Sequence, residues 1–401
     1  MQYRKDKKNG AELSVLGFGC MRFPKTFGIT DMKKTEALIV DAVQCGINYF
    51  DTAWLYPGSE EALGTVVAKK NLRGKIYIAT KLPLYLCKNK NDFDKYFDSS
   101  KARLKTGYVD YYLLHMLSDI ESFEKLKRMG LLEWLEEKKE SGEIKRFGFS
   151  FHGLAENFLK LLDAYDWDFV QIQYNYSNEN FQAGRKGLKA AAEKGLPVII
   201  MEPLLGGRLV THLPVTARAV FRKSNPELSP AGWGLNWLWD QSDVTVILSG
   251  MSDDAQLKEN LLLADKAHEN CLTEKDRSTY NDVLEAFNAS YKVHCTGCAY
   301  CMPCPKNVNI PGCFAAYNTS FAITKMEGMK QYVTSTIATA SGIHRGASLC
   351  VNCGSCKEHC PQNLPIPQLL EKVVKRMEPF YFRIIIFVAR LFLGKAEKTR
   401  A

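Results

Sequence analysis

Apolar residues fall into short runs that alternate with stretches of helical periodicity. Strand-like runs occupy 47–50, 76–80, 109–115, 144–150, 168–173, 197–201 and 244–249. They are too short for typical helices and are rich in β-branched and aromatic residues. Between them, 31–45, 60–70, 92–104, 131–141, 154–165, 182–194 and 252–267 carry apolar residues three and four apart, the signature of an amphipathic helix. Strand followed by helix, repeated, predicts an α/β parallel sheet covered by helices. With a first strand near 13–19 there are eight such units, the number that closes a (β/α)8 TIM barrel over residues 1–270. The segment 204–230, with Gly206-Gly207 and three prolines, is long enough for an insertion over one barrel face. A connecting helix is expected within 271–290, a smaller, mostly α-helical domain over 291–378, and a tail over 379–401.

The ends of the predicted strands are polar. Asp51, Lys81 and His115 close three successive runs, and Ser150, Gln171 and Glu202 stand at similar places. In a parallel barrel the active site lies at the C-terminal ends of the strands, so these side chains are expected to converge on one cavity.

Composition changes this picture little. Of 401 residues, 46% are hydrophobic and 24% charged, ordinary for a globular chain. The net charge of +9 is spread along the whole sequence, without a basic stripe or recognition module, so no nucleic-acid partner is expected. The first residues are charged and lack an apolar signal region, which points to a cytoplasmic protein.

The 13 cysteines add chemistry. One run reads Cys295-x2-Cys298-x2-Cys301-x2-Cys304-Pro305, and a second reads Cys350-x2-Cys353-x2-Cys356-x3-Cys360-Pro361. The second resembles the spacing that holds [4Fe–4S] clusters in bacterial two-cluster ferredoxins. Zinc would have no use for a proline after each run. The resemblance implies two [4Fe–4S] clusters, with the last cysteine of each run reaching across to the other cluster. One would take Cys295, Cys298, Cys301 and Cys360, the other Cys350, Cys353, Cys356 and Cys304. The first run is one residue short before Cys304, which leaves Cys313 as an alternative eighth ligand.

The barrel half carries its own resemblance. Gly17-Phe-Gly-Cys-Met-Arg22, Phe50-Asp-Thr-Ala-Trp-Leu-Tyr56, Ala79-Thr-Lys-Leu82, Leu113-Leu-His115, Phe169-Val-Gln-Ile-Gln-Tyr-Asn175, Met201-Glu-Pro-Leu-Leu-Gly-Gly207 and Glu259-Asn260 resemble the aldo/keto reductases in the same order. The resemblance covers residues 10–265 and implies a catalytic tetrad of Asp51, Tyr56, Lys81 and His115. Hydride addition to a carbonyl leaves an alkoxide that a general acid must protonate. A tyrosine, with an ordinary pKa near ~10, serves only if its anion is favoured. Lys81 would do that, Asp51 would keep the lysine charged, and His115 would orient the carbonyl oxygen.

The same resemblance implies a nicotinamide cofactor. Ser150 and Gln171 would meet the carboxamide with His152 nearby, and Glu202, Leu204, Gly206 and Gly207 would lie beside the pyrophosphate. Ser249 and Asn260 would face the adenosine end. Where relatives that prefer NADP carry cations, this chain has Gly250 and Gln256, with Lys258 out of register, so the choice between NADP and NAD stays open. A subgroup of the family carries a C-terminal cluster extension. Here 313–343 reads as helical and Pro365-Ile-Pro367 precedes another helix over 369–377, which resembles an α-helical ferredoxin module.

The expected function is an iron–sulfur oxidoreductase acting on a small carbonyl or alcohol. Its clusters would exchange electrons with a ferredoxin or similar partner. An electron-transfer protein whose barrel only docks a partner is the alternative. The tail 380–393 is apolar but shorter than the ~20 residues that span a bilayer. It suits docking within the protein or an oligomer, with a peripheral membrane contact as the other option.

Overall fold

The structure, a computed structural model, describes residues 1–153, 155–336 and 344–379. The tail singled out above lies outside the described residues. The chain forms two compact units: Met1–Leu204 with Ala231–Thr273, and Leu205–Pro230 with the chain from Glu274 onward.

In the first unit eight parallel strands close into a barrel. They are β1 (Leu16–Gly19), β2 (Tyr49–Asp51), β3 (Tyr77–Leu82), β4 (Tyr111–Leu117), β5 (Phe147–Phe151), β6 (Phe169–Gln173), β7 (Val198–Met201) and β8 (Val246–Ser249). Each pairs with its neighbours in chain order, and β8 returns to β1. The strands read as continuous apolar runs because the barrel buries both faces, one inward and one against helices.

Register decides what points inward. Tyr49 pairs with Tyr77, Asp51 with Ala79, Ala79 with Tyr111 and Lys81 with Leu113. Tyr49, Ala79, Tyr111, Leu113, Phe169, Ile199 and Val246 form one buried cluster in the interior. The rings of Tyr49 and Phe169 meet Tyr111 edge-on at 5.0 and 4.9 Å. Side chains two apart on a strand share a face. Asp51, Lys81, His115 and Gln171 therefore stand one layer higher, towards the C-terminal ends. An N-terminal hairpin, Tyr3–Lys5 with Glu12–Ser14, supplies buried Asp6, which accepts from the Tyr111 hydroxyl at 3.0 Å.

The helices depart from expectation in two places. Ile120–Arg128 is an additional helix, capped by Asp119 accepting from the Ser122 N–H at 2.7 Å. Its charged sequence buries only Phe123 and Leu126, which hid it from periodicity. The second is the segment 204–230, expected as an insertion over a barrel face. It contains the helix Val215–Ser224 and clusters with the C-terminal unit. Phe221 meets the Tyr280 ring at 6.0 Å, and Ser224 shares a hydrogen bond with Thr279 at 3.0 Å. Both partners lie on the helix Glu274–Ser290. The seventh barrel helix is Pro230–Trp239, which begins as that segment ends.

In the second unit, helices Ile310–Ala322, Lys325–Thr336 and Ile366–Met377 surround a core that includes Val308, Phe314, Tyr332, Leu370, Val373 and Met377. Of the stretch expected as helical over 313–343, the part up to Thr336 lies in two helices, the first ending at Ala322, and 337–343 lies outside the described residues. Arg376 lies 3.7 Å over the Phe321 ring and donates to Ser320 Oγ at 2.6 Å, which ties the last helix to the first. Among the described residues this unit has no strand, and among the described residues of the chain no helix is long and apolar enough to cross a membrane.

Candidate functional site

The strand-end residues do converge. Lys81, 1% exposed, donates to Asp51 Oδ1 at 2.6 Å, to the Thr52 carbonyl at 2.7 Å and to the Tyr56 hydroxyl at 3.5 Å. An ammonium has three donors, and all three are engaged. The Lys81 nitrogen also lies 4.9 Å from the centre of the Tyr56 ring. The second Asp51 oxygen accepts from the Gln171 amide at 2.8 Å. His115 stands edge-on to Tyr56, with ring centres 5.8 Å apart.

Burial, with Lys81 and then His152 adding to it, pushes the His115 pKa well below its ordinary value. The imidazole is neutral at physiological pH. Burial lowers Lys81 too, against the opposing pull of Asp51. His152, hydrogen-bonded to Gln182 at 3.2 Å, is pushed down by burial to about 4.

A local irregularity aims His115. Met116, next along β4, has a φ of 60°, and the β4–β5 register shifts between Leu114 and Leu117. Such bulges re-aim side chains beside active sites. The Ser150 hydroxyl accepts from the Met116 N–H at 2.9 Å and so supports the bulge.

The residues assigned to a nucleotide are more scattered in their contacts. Glu202 follows β7 with a φ of 52°, and its carbonyl accepts from Asn175 at 3.0 Å. Asn260 donates to Ser249 Oγ at 2.9 Å. Leu204 packs against Gly234, where an added Cβ would lie 2.5 Å from the leucine methyl. Gln256 is occupied by a reciprocal helix cap: its N–H and side chain donate to Asp253, and its oxygen accepts from the Ser252 N–H at 3.0 Å. Gly206 and Gly207 belong to the second unit.

Two buried groups escaped the sequence reading. Cys20, just after β1, has its thiol pushed well up by burial and then by Asp51, which places it beside the Asp51–Lys81 pair. It obeys the same strand-end rule that found Asp51. Glu60 entered the sequence reading only as the start of a helix, and it is 1% exposed. It accepts from Thr80 Oγ1 at 2.6 Å and from Arg103 at 3.3 Å. Burial raises its pKa against those hydrogen bonds.

In the second unit the cysteines form two groups. Cys295, Cys298, Cys301 and Cys360 line one pocket, together with Phe314, Leu364 and Ile366. Cys304, Cys350, Cys353 and Cys356 line another, with Val351, Pro367 and Leu370. Ile310 borders both. Burial, then Cys295, Cys298 and Cys360, raises the Cys301 thiol. Burial and then Cys350 push Cys356 up to about 11. Cys313 lies elsewhere, buried, with its sulfur 3.9 Å from the Tyr332 hydroxyl.

All thirteen cysteines are thiols. Among the described residues no three His, Cys, Asp or Glu side chains converge closely enough to hold a single metal ion. The thiols stand around the rims of apolar pockets instead. Four soft sulfur donors around a largely apolar pocket fit a cationic iron–sulfur core.

A closed parallel barrel with an Asp–Lys–Tyr–His constellation, joined to a helical unit with two sets of four cysteines, defines a redox protein. Residues 15–275 match the aldo/keto reductase family, and residues 294–364 match the 4Fe-4S dicluster domain. The chain belongs to the aldo/keto reductase family, whose members are oxidoreductases, and carries a 4Fe-4S dicluster domain after its barrel. It is 27% identical over 303 residues to the uncharacterized oxidoreductase YqkF of Bacillus subtilis, covering 66% of this chain and 91% of that one. It is 24% identical over 295 residues to the NADH-specific methylglyoxal reductase of Escherichia coli, covering 62% and 89%. Among solved structures, an aldo-keto reductase of Klebsiella pneumoniae in complex with NADPH superposes with a TM-score of 0.58 at 20% identity. That match covers 71% of this chain and 96% of the other, and it shows the fold.

Proposed function

We propose that the barrel interconverts a carbonyl and an alcohol with NADP or NAD as hydride carrier, and that the second unit holds two [4Fe–4S] clusters. The observation that carries the first half is the Lys81 ammonium held between Asp51 and the Tyr56 hydroxyl. When bound, the nicotinamide supplies or accepts the hydride at the substrate carbon. Tyr56 donates its proton to the substrate oxygen as negative charge develops there, and Lys81 favours the phenolate left behind. His115 is neutral, so it donates a hydrogen bond to that oxygen without competing as the acid. Asp51 keeps Lys81 charged, and Gln171 fixes the second Asp51 oxygen.

The nucleotide would be met by Ser150, His152, Gln171, Glu202, Leu204, Ser249 and Asn260, with Gly206 and Gly207 at the pyrophosphate. Both carriers occur among the relatives, since one is named NADH-specific and another is bound to NADPH. Gln256, spent on a helix cap, supplies no cation for a 2′-phosphate.

Cys295, Cys298, Cys301 and Cys360 would hold one cluster, and Cys304, Cys350, Cys353 and Cys356 the other. The clusters supply single electrons, so the protein needs a one-electron partner such as a ferredoxin. A second reading, an electron-transfer protein whose barrel only docks that partner, is favoured by one observation. Ser150 and Gln171, expected at the carboxamide, already serve Met116 and Asp51.

Titration of NADH and NADPH against tryptophan fluorescence separates the two readings, and silence towards both cofactors would overturn the first. An anaerobic screen of carbonyls and alcohols, with and without reduced ferredoxin, then identifies the substrate.

A further inference from the structure

One buried cation is used by neither half of this reading. It is Arg208, 6% exposed, in the C-terminal unit. Its guanidinium lies 4.4 Å over the Tyr291 ring and 5.3 Å from the centre of Phe287. Those rings stack on each other at 4.7 Å. One guanidinium N–H reaches the carbonyl of Cys295 at 3.5 Å, and Cys295 opens the first group of four thiols. Tyr291 donates to the His212 carbonyl at 2.5 Å, which fastens the same segment a second time.

On its other side Arg208 ends an unusual turn. Leu205, Gly206 and Gly207 have φ of 47°, 63° and 91°, three left-handed residues in succession. A leucine tolerates that region poorly, so the surroundings impose the shape. The nicotinamide reading assigns this turn to the pyrophosphate.

A cluster gains one unit of negative charge when it accepts an electron. A cation fixed beside it in a low-dielectric setting favours the reduced form, whereas an exposed cation is screened by water and salt. Lys306, which borders the second group of cysteines, is exposed.

We infer that Arg208 raises the reduction potential of the cluster held by Cys295, Cys298, Cys301 and Cys360. We further infer that it couples that cluster to the 205–208 turn, so that an anionic phosphate bound there lowers the potential. This rests on the cluster and nicotinamide readings above. The step is the addition of one electron to the cluster from an external one-electron donor, with no bond broken and no proton moved. The pair of clusters is thereby made unequal, and occupancy of the nucleotide turn sets how unequal.

The test is an anaerobic redox titration of the cluster-loaded full chain, followed by electron paramagnetic resonance. It compares wild type, Arg208→Gln and Arg208→Lys, each with and without NADP⁺ or inorganic pyrophosphate. In the ligand-free protein, Arg208→Gln should shift the equilibrium of one cluster about tenfold towards the oxidised form, ~59 mV for one electron. The other cluster should shift far less, and Arg208→Lys should retain part of the wild-type value. Pyrophosphate or NADP⁺ should move the same cluster of the wild type in the same direction, and leave Arg208→Gln unmoved. Unchanged potentials in a fully iron-loaded Arg208→Gln would overturn the inference. If calorimetry shows NADP⁺ binding while neither potential moves, the coupling fails and the nicotinamide reading stands. If calorimetry shows no binding, that reading fails, and the ligand-free shift in Arg208→Gln still decides the role of Arg208.

Discussion

The Asp51–Lys81 pair lends itself to a double-mutant cycle. Both side chains are nearly inaccessible, at 4% and 1% exposure, and their charges meet at 2.6 Å. Removing either partner strands the other charge in the interior, which costs about 3–5 kcal/mol. Asp51→Asn leaves the lysine ammonium with neutral acceptors alone, the new amide oxygen beside the Thr52 carbonyl and Tyr56 hydroxyl, and no counter-charge. Lys81→Met leaves a buried carboxylate that the Gln171 amide alone does not neutralise. The double variant buries no net charge, so its cost should be well below the sum of the singles. The expected coupling is at least about 3 kcal/mol.

The assay is urea unfolding of the full chain followed by tryptophan fluorescence. All six tryptophans, at 54, 134, 167, 233, 237 and 239, lie in the barrel unit, so the signal reports that unit alone. Activity should behave differently from stability. The double variant regains stability over either single without regaining turnover, because no ammonium is left to favour the Tyr56 phenolate. Strict additivity of the three stability changes would refute the description of these charges as a buried, mutually dependent pair.

Three further outcomes are expected. Tyr56→Phe should lower turnover by about 10²–10⁴-fold, the usual worth of a general acid, with nucleotide binding measured by fluorescence unchanged. His152 should make the barrel less stable in acid. Its folded pKa, about 4, lies below the ordinary 6.5, so the unfolded chain binds the extra proton and stability falls as pH drops through that window. The full effect is about 3 kcal/mol at ~1.4 kcal/mol per pH unit, and His152→Asn should flatten the decline of the urea midpoint between pH 7 and 5 without abolishing it, since His115 titrates in the same direction. Finally, Cys304→Ser should lose iron from a loaded protein that otherwise carries about eight, whereas Cys313→Ser should keep its full complement; iron and sulfide analysis distinguishes them, and iron loss in Cys313→Ser would reverse the assignment.

The barrel was legible because its strands read as short apolar runs and most are followed by an amphipathic helix; the helix Pro230–Trp239, buried nearly all round, has no such pattern. The inward direction of Asp51, Lys81 and His115 followed from strand ends alone. Tyr56 did not, since it stands in the loop after β2, where no periodicity applies, and only the family resemblance identified it. The bulge at Met116 was invisible because a left-handed methionine has no local sequence mark. Glu60 gave no signal because a glutamate in a first helical turn ordinarily faces water, and only the tertiary approach of Thr80 and Arg103 buries it. The segment 205–230 showed its length but not its allegiance. That allegiance depends on Phe221 finding Tyr280, a contact no local pattern announces. The short spacing before Cys304 left Cys313 as a substitute for it, and only three dimensions show that Cys304 lines the pocket of the second run while Cys313 lies beside Tyr332.

The crossed arrangement of the cysteines has a consequence for how the protein is made. Cys360 joins the pocket of the first run, and Cys304 joins that of the second. On the proposed two-cluster reading, whichever centre is filled first would draw together chain segments separated by some fifty residues, and would bear the entropy of closing that loop. The second centre then finds its ligands already gathered. Iron loading should therefore be all-or-none, with half-filled molecules scarce at substoichiometric iron. A ribosome that has not yet released Cys350 presents a chain able to complete neither centre. Maturation would wait until the second cysteine run has emerged, and the barrel would fold first.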